Sequence, residues 1–496
     1  MDKFYVTTSI AYTNASPHLG YALELVQADV LARHHKILGK DVFFLTGTDE
    51  HGQKISKAAE RAGKNPKEFT DEISSKFKEL DKVFNLSNDD FIRTTDQERH
   101  WPVVQKVWQK LKENGDIYKK KYQGLYCIGC EAFITKKDLE DGKCKIHQKE
   151  PEVVEEENYF FKLSKYSKEI ERIIRENEVK IIPDGRKNEM LSFADQGLED
   201  VSFSRPRKDL KWGIPVPDDD AQTIYVWADA LVNYISALGG LKDEKFKKYW
   251  SPDVHFLGKD ILRFHATIWL GMLLSLKLAL PKNIFVHGFI TSGGQKMSKS
   301  LGNVVDPFEL VKKYGVDAPR YFLLREISAT EDGDFTEEKF IERYNADLAG
   351  GIGNLVARVV TLAEKSKIQN QKSKNTIQSS KIEEKIKKVK KSYQESLENF
   401  KLNEALIAIW ELIGFCDKYI NDEKPWSLDA IRAFVSEAQV RRDKEKCDKV
   451  IGDLLVAISE IAELLKPFLP ETSEKILKQL QTLKSEPLFP RVDKGF

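Results

Sequence analysis

A strand that leads directly into a helix, close to the N-terminus, is the feature that most constrains the fold. Residues 5–10 (Tyr-Val-Thr-Thr-Ser-Ile) have the composition of a buried strand, and Ser16 and Pro17 suit the cap and first position of a helix. Apolar residues then recur at helical spacing until Gly39, a typical helix end. A second apolar run, residues 41–45, is typical of a strand covered on both faces of a parallel sheet. We therefore expect an α/β fold.

The first turn of that predicted helix carries residues suited to phosphate binding. Backbone N–H groups at a helix N-terminus and the positive end of its dipole attract anions. His18 would lie at this end, and Gly20 would let a nucleotide approach the backbone closely. A His-x-Gly string in isolation is weak evidence, and a surface histidine on a capped helix is its commoner meaning. The neighbouring Tyr21 could bond a phosphate through its hydroxyl but carries no positive charge.

A lysine-rich loop lies much further along the chain. The string Lys296-Met297-Ser298-Lys299-Ser300 follows a predicted strand, residues 283–290, and a flexible Thr-Ser-Gly-Gly-Gln run. Two ammonium groups three residues apart on a glycine-hinged loop suit a substrate that accumulates negative charge during its reaction. The alternative is a solvated basic turn, which is the commoner meaning of an isolated Lys-x-x-Lys. The complete five-residue string is much rarer.

Together, the His-x-Gly turn and the lysine loop resemble the two signature sequences of the class I aminoacyl-tRNA synthetases. The resemblance implies a Rossmann-like catalytic domain with an ATP site. The residues that it assigns to ATP are His18, Gly20, Tyr21, Lys296, Met297, Ser298, Lys299 and Ser300. Of these, the catalytic residues would be His18, Gly20, Tyr21, Lys296 and Lys299. One position departs from the pattern, because the family usually has histidine where this chain has Tyr21.

Two closely spaced ligand pairs predict a metal site. Cys127 and Cys130 form the first pair, and Cys144 and His147 form the second. Both spacings are those of zinc knuckles, and three thiolates with one imidazole complete a tetrahedral Zn²⁺ site. Four protein ligands leave no position for water or substrate, so we expect this zinc to stabilise an insertion rather than to take part in chemistry. The alternative is four unrelated loop residues. The array resembles the knuckle of bacterial-type methionyl-tRNA synthetases that carry a single zinc.

The string Asp49-Glu50-His51-Gly52 follows the second predicted strand. Open α/β sheets bind ligands at the carboxyl ends of their strands. Asp49 and His51 could hold a substrate amine and a nucleotide, or they could be structural residues of a turn. The string again resembles the methionyl-tRNA synthetases, in which the aspartate meets the methionine ammonium group.

Aromatic residues further along suit a pocket for an apolar substrate. Residues 223–234 predict a strand that turns into a helix exposing Trp227 and Tyr234, and a later helix carries His265 and Trp269 on one face. By themselves such residues are more often core than pocket. An aromatic lining nevertheless suits a flexible, polarizable thioether. The residues that the family resemblance assigns to methionine are Ile10, Tyr12, Asp49, Trp227, Ala230, Leu231, Tyr234, Ile261, His265 and Trp269.

The last third of the chain predicts helices only. Residues 348–365 are amphipathic, with Asn354 and Arg358 four apart on one face. Residues 402–420 carry a clear apolar stripe, and a Pro-Trp pair that ends at Trp426 follows them. A tryptophan in that place can be a platform for an unpaired base, or it can be packing. Asn354, Arg358 and Trp426 match the positions with which methionyl-tRNA synthetases read the CAU anticodon.

Composition narrows the class of protein. A chain of 496 residues allows two to four domains, and a net charge of +1 means that RNA binding must come from local patches. The apolar runs are too short or too interrupted to span a bilayer, and the N-terminus enters a strand without a secretory signal. Five cysteines, three of them clustered, favour metal binding in a reducing compartment. We therefore expect a cytoplasmic protein with no membrane partner.

The predicted order of domains follows from these segments. They are the first half of the Rossmann catalytic domain, 1–115; a connective insertion with the zinc knuckle, 116–222; the second half, 223–290; the lysine loop and a connector, 291–345; and a helical-bundle anticodon-binding domain, 346–496.

The resemblance implies that the chain activates L-methionine with ATP, accompanied by Mg²⁺, and transfers it to the 3′ end of initiator and elongator tRNA(Met). No further tRNA-binding module follows, which favours a monomer; a separately encoded tRNA-binding subunit is compatible with the sequence. Two alternatives are open: a class I synthetase for another amino acid, and a paralogue that binds tRNA without activating an amino acid.

Overall fold

The structure is a computed structural model that describes residues 2–129, 132–134, 138–146, 148–297, 302–366, 379–426 and 437–493. The chain divides into two compact units. The first comprises residues 1–82 and 86–287, and the second comprises residues 83–85 and 288–496.

The first unit is built on a parallel sheet with an antiparallel insertion. Its strands are β1 (Lys3–Thr8), β2 (Ala11–Tyr12), β3 (Asp41–Asp49), β4 (Asp90–Arg93), β5 (Ile117–Cys127), β6 (Ala132–Ile134), β7 (Leu139–Glu140), β8 (Lys143–Cys144), β9 (Glu152–Phe161), β10 (Lys180–Ile182), β11 (Val201–Ser202), β12 (Ser204–Pro206), β13 (Pro215–Val216), β14 (Asp219–Ile224), β15 (Val254–Gly258) and β16 (Asn283–His287). Its helices are α1 (Leu19–Ile37), α2 (Gln53–Arg61), α3 (Pro66–Val83), α4 (Trp101–Glu113), α5 (Ser167–Arg175), α6 (Asp184–Ala194), α7 (Val226–Ala230), α8 (Asn233–Ser236), α9 (Glu244–Tyr249) and α10 (Leu270–Leu276), with a 3₁₀-helix at Leu163–Tyr166 and a π-helix at Phe264–Trp269.

The order of the parallel strands places the N-terminal strand at the centre. Within the described residues the sheet has seven strands, in the order β10-β16-β15-β1-β3-β2, with β4 beside β3. All of its pairings are parallel. From β1 the chain continues to β3, which pairs with one edge of β1. Strand β15, which comes later in the sequence, pairs with the other edge of β1. Ligands of open α/β sheets bind at the carboxyl ends of the strands at such a point. The predicted Rossmann-like α/β fold is confirmed.

The sheet is buried on both faces, as its apolar strand sequences predict. Tyr5, Val6, Phe44 and Leu257 are inaccessible to solvent. Burial of one such side chain stabilises the fold by about 1.5–3 kcal/mol. The strands are therefore fixed from both sides, and the loops at their carboxyl ends start from rigid positions.

Helix α1 starts later than the sequence predicts. Ser16 was expected at the cap and Pro17 at the first turn, but the helix begins at Leu19, with His18 as its N-cap. The His18 backbone is extended, and its own Nδ1 accepts a hydrogen bond from the Gly20 N–H at 3.1 Å. The imidazole therefore performs the capping that was expected of the serine. The predicted end is confirmed, because α1 stops at Ile37, shortly before Gly39 at φ +79°.

The antiparallel insertion leaves the parallel sheet after α4. Strands β5 and β9 pair from Ile117 and Phe161 at the base of the hairpin to Tyr126 and Glu152 near its tip. A buried ion pair ties the hairpin to β12, because the Arg205 guanidinium donates to both carboxylate oxygens of Glu156 at 2.5 and 2.7 Å. Cys127, the first ligand of the predicted zinc knuckle, ends β5 near this tip.

The second unit is mainly helical, as predicted for the last third of the chain. Its strands are β17 (Ile290–Ser292), β18 (Gln295–Lys296) and β19 (Gly333–Phe335). Its helices are α11 (Pro307–Tyr314), α12 (Asp317–Arg325), α13 (Glu337–Arg343), α14 (Asn354–Ser366), α15 (Ser380–Glu398), α16 (Leu402–Glu423), α17 (Glu437–Leu465) and α18 (Pro470–Thr482), with a π-helix at Tyr344–Gly353.

Two predicted elements of this region differ from the structure. The strand expected over 283–290 ends at His287, and a separate strand begins at Ile290. Gly288 lies at the break, where an added Cβ would be 2.0 Å from the Glu331 carbonyl oxygen, so close packing there redirects the chain. The helix expected over 348–365 is π-helical up to Gly353 and α-helical only from Asn354.

One stretch of the described residues, Glu337–Ser366, is long and apolar enough to span a membrane by length and composition alone. In the structure its Leu355, Val356, Val359 and Val360 are completely buried within the second unit. Its apolar face is therefore part of a protein core.

Candidate functional site

The N-terminus of α1 lies at the carboxyl end of β1, where the sequence predicts a phosphate site. His18 is exposed there, and its ring lies over the first turn of the helix. An added Cβ at Gly20 would lie 3.0 Å from Cε1 of His18. Glycine at position 20 therefore allows the imidazole to take its capping position. The positive end of the nineteen-residue helix and an imidazole lie together at this point.

Tyr21, at the family's histidine position, turns towards the sheet. Its hydroxyl lies 3.4 Å from Oγ1 of Thr46 and 3.4 Å from the carbonyl oxygen of Gly47. Its ring meets Phe77 edge-on at 4.9 Å. Burial, and next the charge of Glu24, raise the pKa of the Tyr21 phenol, so the side chain is neutral at physiological pH. Tyr21 therefore supplies a packed hydroxyl and no charge.

The lysine loop belongs to the second unit, and the structure describes it in part. The backbone of Lys296 lies in β18, opposite Thr291 of β17, and Met297 is buried. Ser298, Lys299 and Ser300 lie outside the described residues.

The Asp-Glu-His-Gly turn begins at the end of β3 and is held in place by its second residue, Glu50. Glu50 is buried and accepts from the Arg93 guanidinium at 2.7 and 2.8 Å and from the Thr48 hydroxyl at 2.6 Å. Asp49 pairs with Tyr12 in the parallel ladder between β2 and β3, so two residues predicted for the methionine site are neighbours. His51 is also buried, and its Nδ1 lies 2.6 Å from Oδ2 of Asp229.

Tyr234 and His265, both predicted methionine residues, form one hydrogen-bonded pair. Nδ1 of His265 lies 3.1 Å from the Ile261 carbonyl oxygen, which can only accept, so this nitrogen carries the proton. The Tyr234 hydroxyl, 2.8 Å from Nε2, therefore donates to it. Burial lowers the pKa of His265 to about 4, which keeps the ring neutral. Tyr234 was expected to be exposed but is fully buried, because α7 and α8 are two short helices that turn it inwards.

Trp269 and His255 form a second pair behind the first. The indole N–H of Trp269 can only donate, and it lies 3.2 Å from Nε2 of His255. Nδ1 of His255 therefore carries the proton and donates to the Thr7 hydroxyl at 2.6 Å. Burial, and then His265, hold the pKa of His255 well below its usual value. The Tyr234 ring lies 4.3 Å from His255 and 5.6 Å from Trp269, so all these rings share one cluster.

Trp227 lies at the start of α7 and is partly exposed. Its indole stacks on Phe264 with ring centroids 3.6 Å apart. Ile10, Ile261 and Phe264 are partly buried against the core of the first unit, whereas Ala230 and Leu231 are inside it. The methionine residues predicted from the sequence therefore lie on strand ends, loops and helices at or beyond the carboxyl ends of β1, β3, β14 and β15.

Sequence reasoning missed Phe264 and His255. Phe264 directly precedes His265 in the π-helix, and such helices recur at functional sites. Hydrophobic periodicity carries no signal for a π-helix. His255 lies inside a buried strand, and only its partners from β1 and the π-helix distinguish it from a core residue.

The predicted zinc knuckle is described for two of its four ligands. Cys127 ends β5 and Cys144 ends β8; both are buried in one small cluster with Ile134, and neither is in a disulfide. Cys130 and His147 lie outside the described residues. Cys127 and Cys144, in one cluster, fit two of the four ligand positions of a tetrahedral Zn²⁺ site.

The predicted anticodon residues lie on the helical unit. Asn354 begins α14 and is exposed, and Arg358 follows one turn later. The Arg358 guanidinium donates to Oδ1 of Asn421 at 2.8 Å and lies 3.5 Å from the Asp417 carboxylate. Its carbon Cζ lies 5.6 Å from the Trp426 ring centroid, and that ring is 44% exposed. The structure thus brings Arg358 and Trp426 together on one accessible surface.

Comparison with known families agrees with this arrangement. Residues 4–138 and 134–360 match the model described as tRNA synthetases class I (M), and residues 379–494 match the anticodon-binding domain of tRNA ligase. The parallel sheet with its site at the strand ends, followed by a helical unit, is the architecture of a class I aminoacyl-tRNA synthetase.

Individual relatives show which family within this class the chain belongs to. The methionine–tRNA ligase of Thermotoga maritima is 42% identical over 99% of this chain and 80% of its own length, and that of Caldanaerobacter subterraneus is 44% identical over 99% and 79%. The solved structure of Mycobacterium tuberculosis methionyl-tRNA synthetase in complex with methionyl-adenylate superposes with a TM-score of 0.90, at 35% identity and 99% coverage of both chains. The chain belongs to the methionine–tRNA ligase family.

Proposed function

We propose that the protein activates L-methionine with ATP and transfers it to tRNA(Met). The observation that carries the proposal is the cluster of neutral aromatic and imidazole rings around Tyr234, at the carboxyl ends of the central strands. Such a lining suits the thioether of methionine by shape and dispersion. Asp49, at the end of β3, supplies the carboxylate for the substrate ammonium group.

Activation joins the methionine carboxylate to the α-phosphate of ATP. One carboxylate oxygen attacks phosphorus in line, an O–P bond forms, and the bond to the β-phosphate breaks with release of pyrophosphate. The carboxylate is already ionised, so no general base is required. Catalysis then consists of positioning and stabilisation of charge. His18 and the N-terminus of α1 act on the α-phosphate, and Lys296 and Lys299 act on the leaving pyrophosphate.

The other residues assigned to ATP, together with a magnesium ion, complete the ATP site. The residues that bind around the nucleotide are Gly20, Tyr21, Met297, Ser298 and Ser300. Mg²⁺ would accompany ATP through its phosphates and would supply charge neutralisation there.

Transfer passes the methionyl group to the terminal adenosine of the tRNA. In a class I synthetase the 2′-hydroxyl attacks the carbonyl carbon of the adenylate, an ester forms, and AMP leaves. Arg358, Asn354 and Trp426 select the tRNA: the indole stacks on an unpaired base and the guanidinium hydrogen-bonds to it.

Zinc is proposed as a structural ion of the insertion. Cys127, Cys130, Cys144 and His147 would hold it, and a closed four-ligand site has no position for substrate. Chelation should therefore lower the melting temperature of the insertion. Loss of the metal is monitored by the absorbance of a Co²⁺-substituted sample. Methionine-dependent exchange should persist until the insertion unfolds.

The protein works where tRNA is charged for the ribosome, so we place it in the cytoplasm. The monomeric state expected from the sequence is to be measured by sedimentation equilibrium. A separately encoded tRNA-binding subunit would be found by co-purification with the tagged chain.

The experiment that tests the function is amino-acid-dependent exchange between ATP and pyrophosphate, run with each of the twenty amino acids. Exchange with methionine alone is expected. Exchange with another amino acid would keep the class I enzyme and overturn the pocket assignment. Folded, zinc-loaded protein with no exchange would indicate a paralogue that has lost activation, and Tyr21→His would be the first reversion to examine.

A further inference from the structure

Three buried polar side chains join the two segments that carry the amino-acid site. Asp229 accepts from His51 at 2.6 Å through one carboxylate oxygen and from His100 at 2.7 Å through the other. The three side chains are at most 2% exposed. Asp229 lies on α7 between Trp227 and Ala230, and His51 follows Asp49 by two residues. The carboxylate therefore fixes the aromatic wall relative to the turn that bears Asp49.

The hydrogen bonds of His100 fix its orientation. Its Nε2 donates to the Asp229 carboxylate at 2.7 Å, and its Nδ1 lies 2.7 Å from the Ser236 hydroxyl oxygen. That hydroxyl also lies 3.2 Å from the Asn233 carbonyl oxygen, which can only accept. His100 is therefore held from both sides, and it holds the second oxygen of Asp229 in turn.

His51 meets the same carboxylate through Nδ1. Burial alone would raise the pKa of Asp229, but His51 and His100 hold it below its usual value, so the carboxylate is ionised. It accepts from Nδ1 of His51, and in a neutral ring with this proton the lone pair is on Nε2. No described side chain or backbone group lies within hydrogen-bond distance of this buried Nε2. Trp101 and Trp212 flank the His51 ring, with ring centroids 5.9 and 5.5 Å from its own.

A buried acceptor with no partner costs about 1–3 kcal/mol. That cost is removed when a bound group donates to it. The ammonium group of an amino acid has three N–H donors, more than the Asp49 carboxylate alone would satisfy. An imidazolium at position 51 would repel this cation, so a neutral His51 ring matters for binding.

We propose that His51 accepts a hydrogen bond from the substrate ammonium group through Nε2, and that Asp229 and His100 are positioning residues that hold His51 in the neutral, Nδ1-protonated form. This inference rests on the proposed function. It adds a substrate contact and its supporting pair to the site. The carboxylate–imidazole arrangement fixes the tautomer by the same logic as in other oriented histidines.

Asp229→Asn tests the tautomer. The amide offers one acceptor, which His100 retains, and its NH₂ group then faces Nδ1 of His51. The proton of His51 moves to Nε2, which becomes a donor directed at the ammonium group. We expect the KM for methionine to rise about 10- to 100-fold, with the KM for ATP unchanged. The matched control is Asp116→Asn, the same change at a buried carboxylate of the same unit that bonds Lys165 and Ser275.

A pair of ligands separates the ammonium contact from a general loosening of the pocket. Dissociation constants are measured by calorimetry for methioninol, which has the ammonium group, and for 4-(methylthio)butanoate, which lacks it. Asp229→Asn should weaken methioninol about 10- to 100-fold and leave the butanoate within about twofold. An equal loss for both ligands, or no loss for either, would overturn the proposal.

A second variant covers the case in which Asp229→Asn does not fold. His51→Phe keeps an aromatic ring between the two tryptophans and removes the acceptor, and His51→Gln restores an acceptor through its amide oxygen. The phenylalanine variant should lose methioninol affinity and the glutamine variant should regain part of it. A changed KM for ATP with unchanged discrimination between the two ligands would instead indicate a ribose hydroxyl and contradict the ammonium contact.

The wild-type exchange assay separates the two levels of inference. If wild-type protein shows no methionine-dependent exchange, the proposed function fails. If it is active and the His51 and Asp229 variants behave like Asp116→Asn, only the role of His51 is wrong.

Discussion

The proposed amino-acid pocket and the proposed anticodon surface differ in how their polar groups are satisfied. In the proposed pocket, Tyr234, His265 and Trp269 are buried, and their polar atoms bond to one another, to a backbone carbonyl or to His255. On the proposed anticodon surface, Trp426 is 44% exposed and Arg358 donates to Asn421 beside Asp417. The polar groups of the pocket are hydrogen-bonded within the protein before a ligand binds. The polar groups of the anticodon surface must exchange their protein partners for the ligand.

This difference follows from the ligands. A methionine side chain has no hydrogen-bond donor and only a weakly accepting sulfur, so the proposed pocket must satisfy most of its own buried polar atoms. Each methylene contributes only about 1–3 kcal/mol to discrimination, so the shape has to be fixed in advance. An RNA base brings donors, acceptors and a stacking face, so an exposed cation beside an exposed indole suffices.

The largest expected effect comes from removing the proposed ammonium ligand. Asp49→Ala should lower kcat/KM for methionine in the exchange assay by at least about 100-fold, because a buried, charge-assisted contact is lost. Asp49→Asn serves as the isosteric comparison and should lie between the alanine variant and wild type. Unchanged kcat/KM in folded Asp49→Ala protein would contradict the assignment.

Acid should destabilise the first unit more than the second. The nine histidines of the chain all lie at or before residue 287, so the second unit has none. Burial lowers the pKa of His265 to about 4 and that of His35 to about 3, so the unfolded chain binds more protons below its own histidine pKa. Stability is then unaffected at neutral pH and is lost as the pH falls from about 6.5 towards 4, by up to about 3 kcal/mol for His265.

Hydrogen exchange read by mass spectrometry at pH 7 and pH 5 would resolve the two units. Protection in β1, β3 and β15 should fall, whereas α14 and α16 should change less. His265→Gln should reduce the acid sensitivity of the first unit. Equal losses in both units would contradict the histidine explanation.

Trp426→Ala should separate tRNA charging from amino-acid activation. Loss of one base-stacking platform costs about 1–3 kcal/mol, so aminoacylation of tRNA(Met) should fall about 10- to 100-fold in kcat/KM. Methionine-dependent exchange without tRNA should be unchanged. Trp426→Phe keeps a ring at this position and should retain most charging; if the alanine variant charges normally, Trp426 does not read the anticodon.

The smallest effect is expected from single hydroxyl groups. Tyr234→Phe leaves Nε2 of His265 without its donor, so the KM for methionine should rise about 5- to 10-fold and stability should fall by about 1–2 kcal/mol. The matched control is Tyr393→Phe in the second unit, whose hydroxyl donates to the Leu464 carbonyl at 3.0 Å. It should lose similar stability and keep its KM; a KM change in both variants would show that pocket and scaffold are not separable.

Much of the fold is predictable because its information is local. The first strand, predicted at residues 5–10 and found at Lys3–Thr8, follows from composition and spacing. So do the helix that ends before Gly39 and the helical character of the last third. The exceptions also have local causes. His18 caps α1 in place of Ser16 because an imidazole at an extended residue reached the Gly20 N–H, and close packing at Gly288 ends a strand that composition would continue.

The site is predictable to a different degree. Trp227, Tyr234, His265 and Trp269 could be named in advance through family resemblance, since the chemical type of each residue suits a thioether. Phe264 and His255 could not, because a π-helix leaves no periodicity in the sequence and a histidine in a buried strand has the pattern of a core residue.

By itself, the sequence determined the strand–helix unit, the zinc-knuckle spacing and the residue types of the pocket, because each depends on neighbours a few positions away. The tertiary structure decided which nitrogen of each buried histidine donates a hydrogen bond and which accepts one. Nδ1 of His51 is fixed by a carboxylate 178 residues later, and Nδ1 of His255 by a hydroxyl 248 residues earlier. Proton positions depend on the atoms across a contact, and only the folded chain brings those atoms within hydrogen-bond distance.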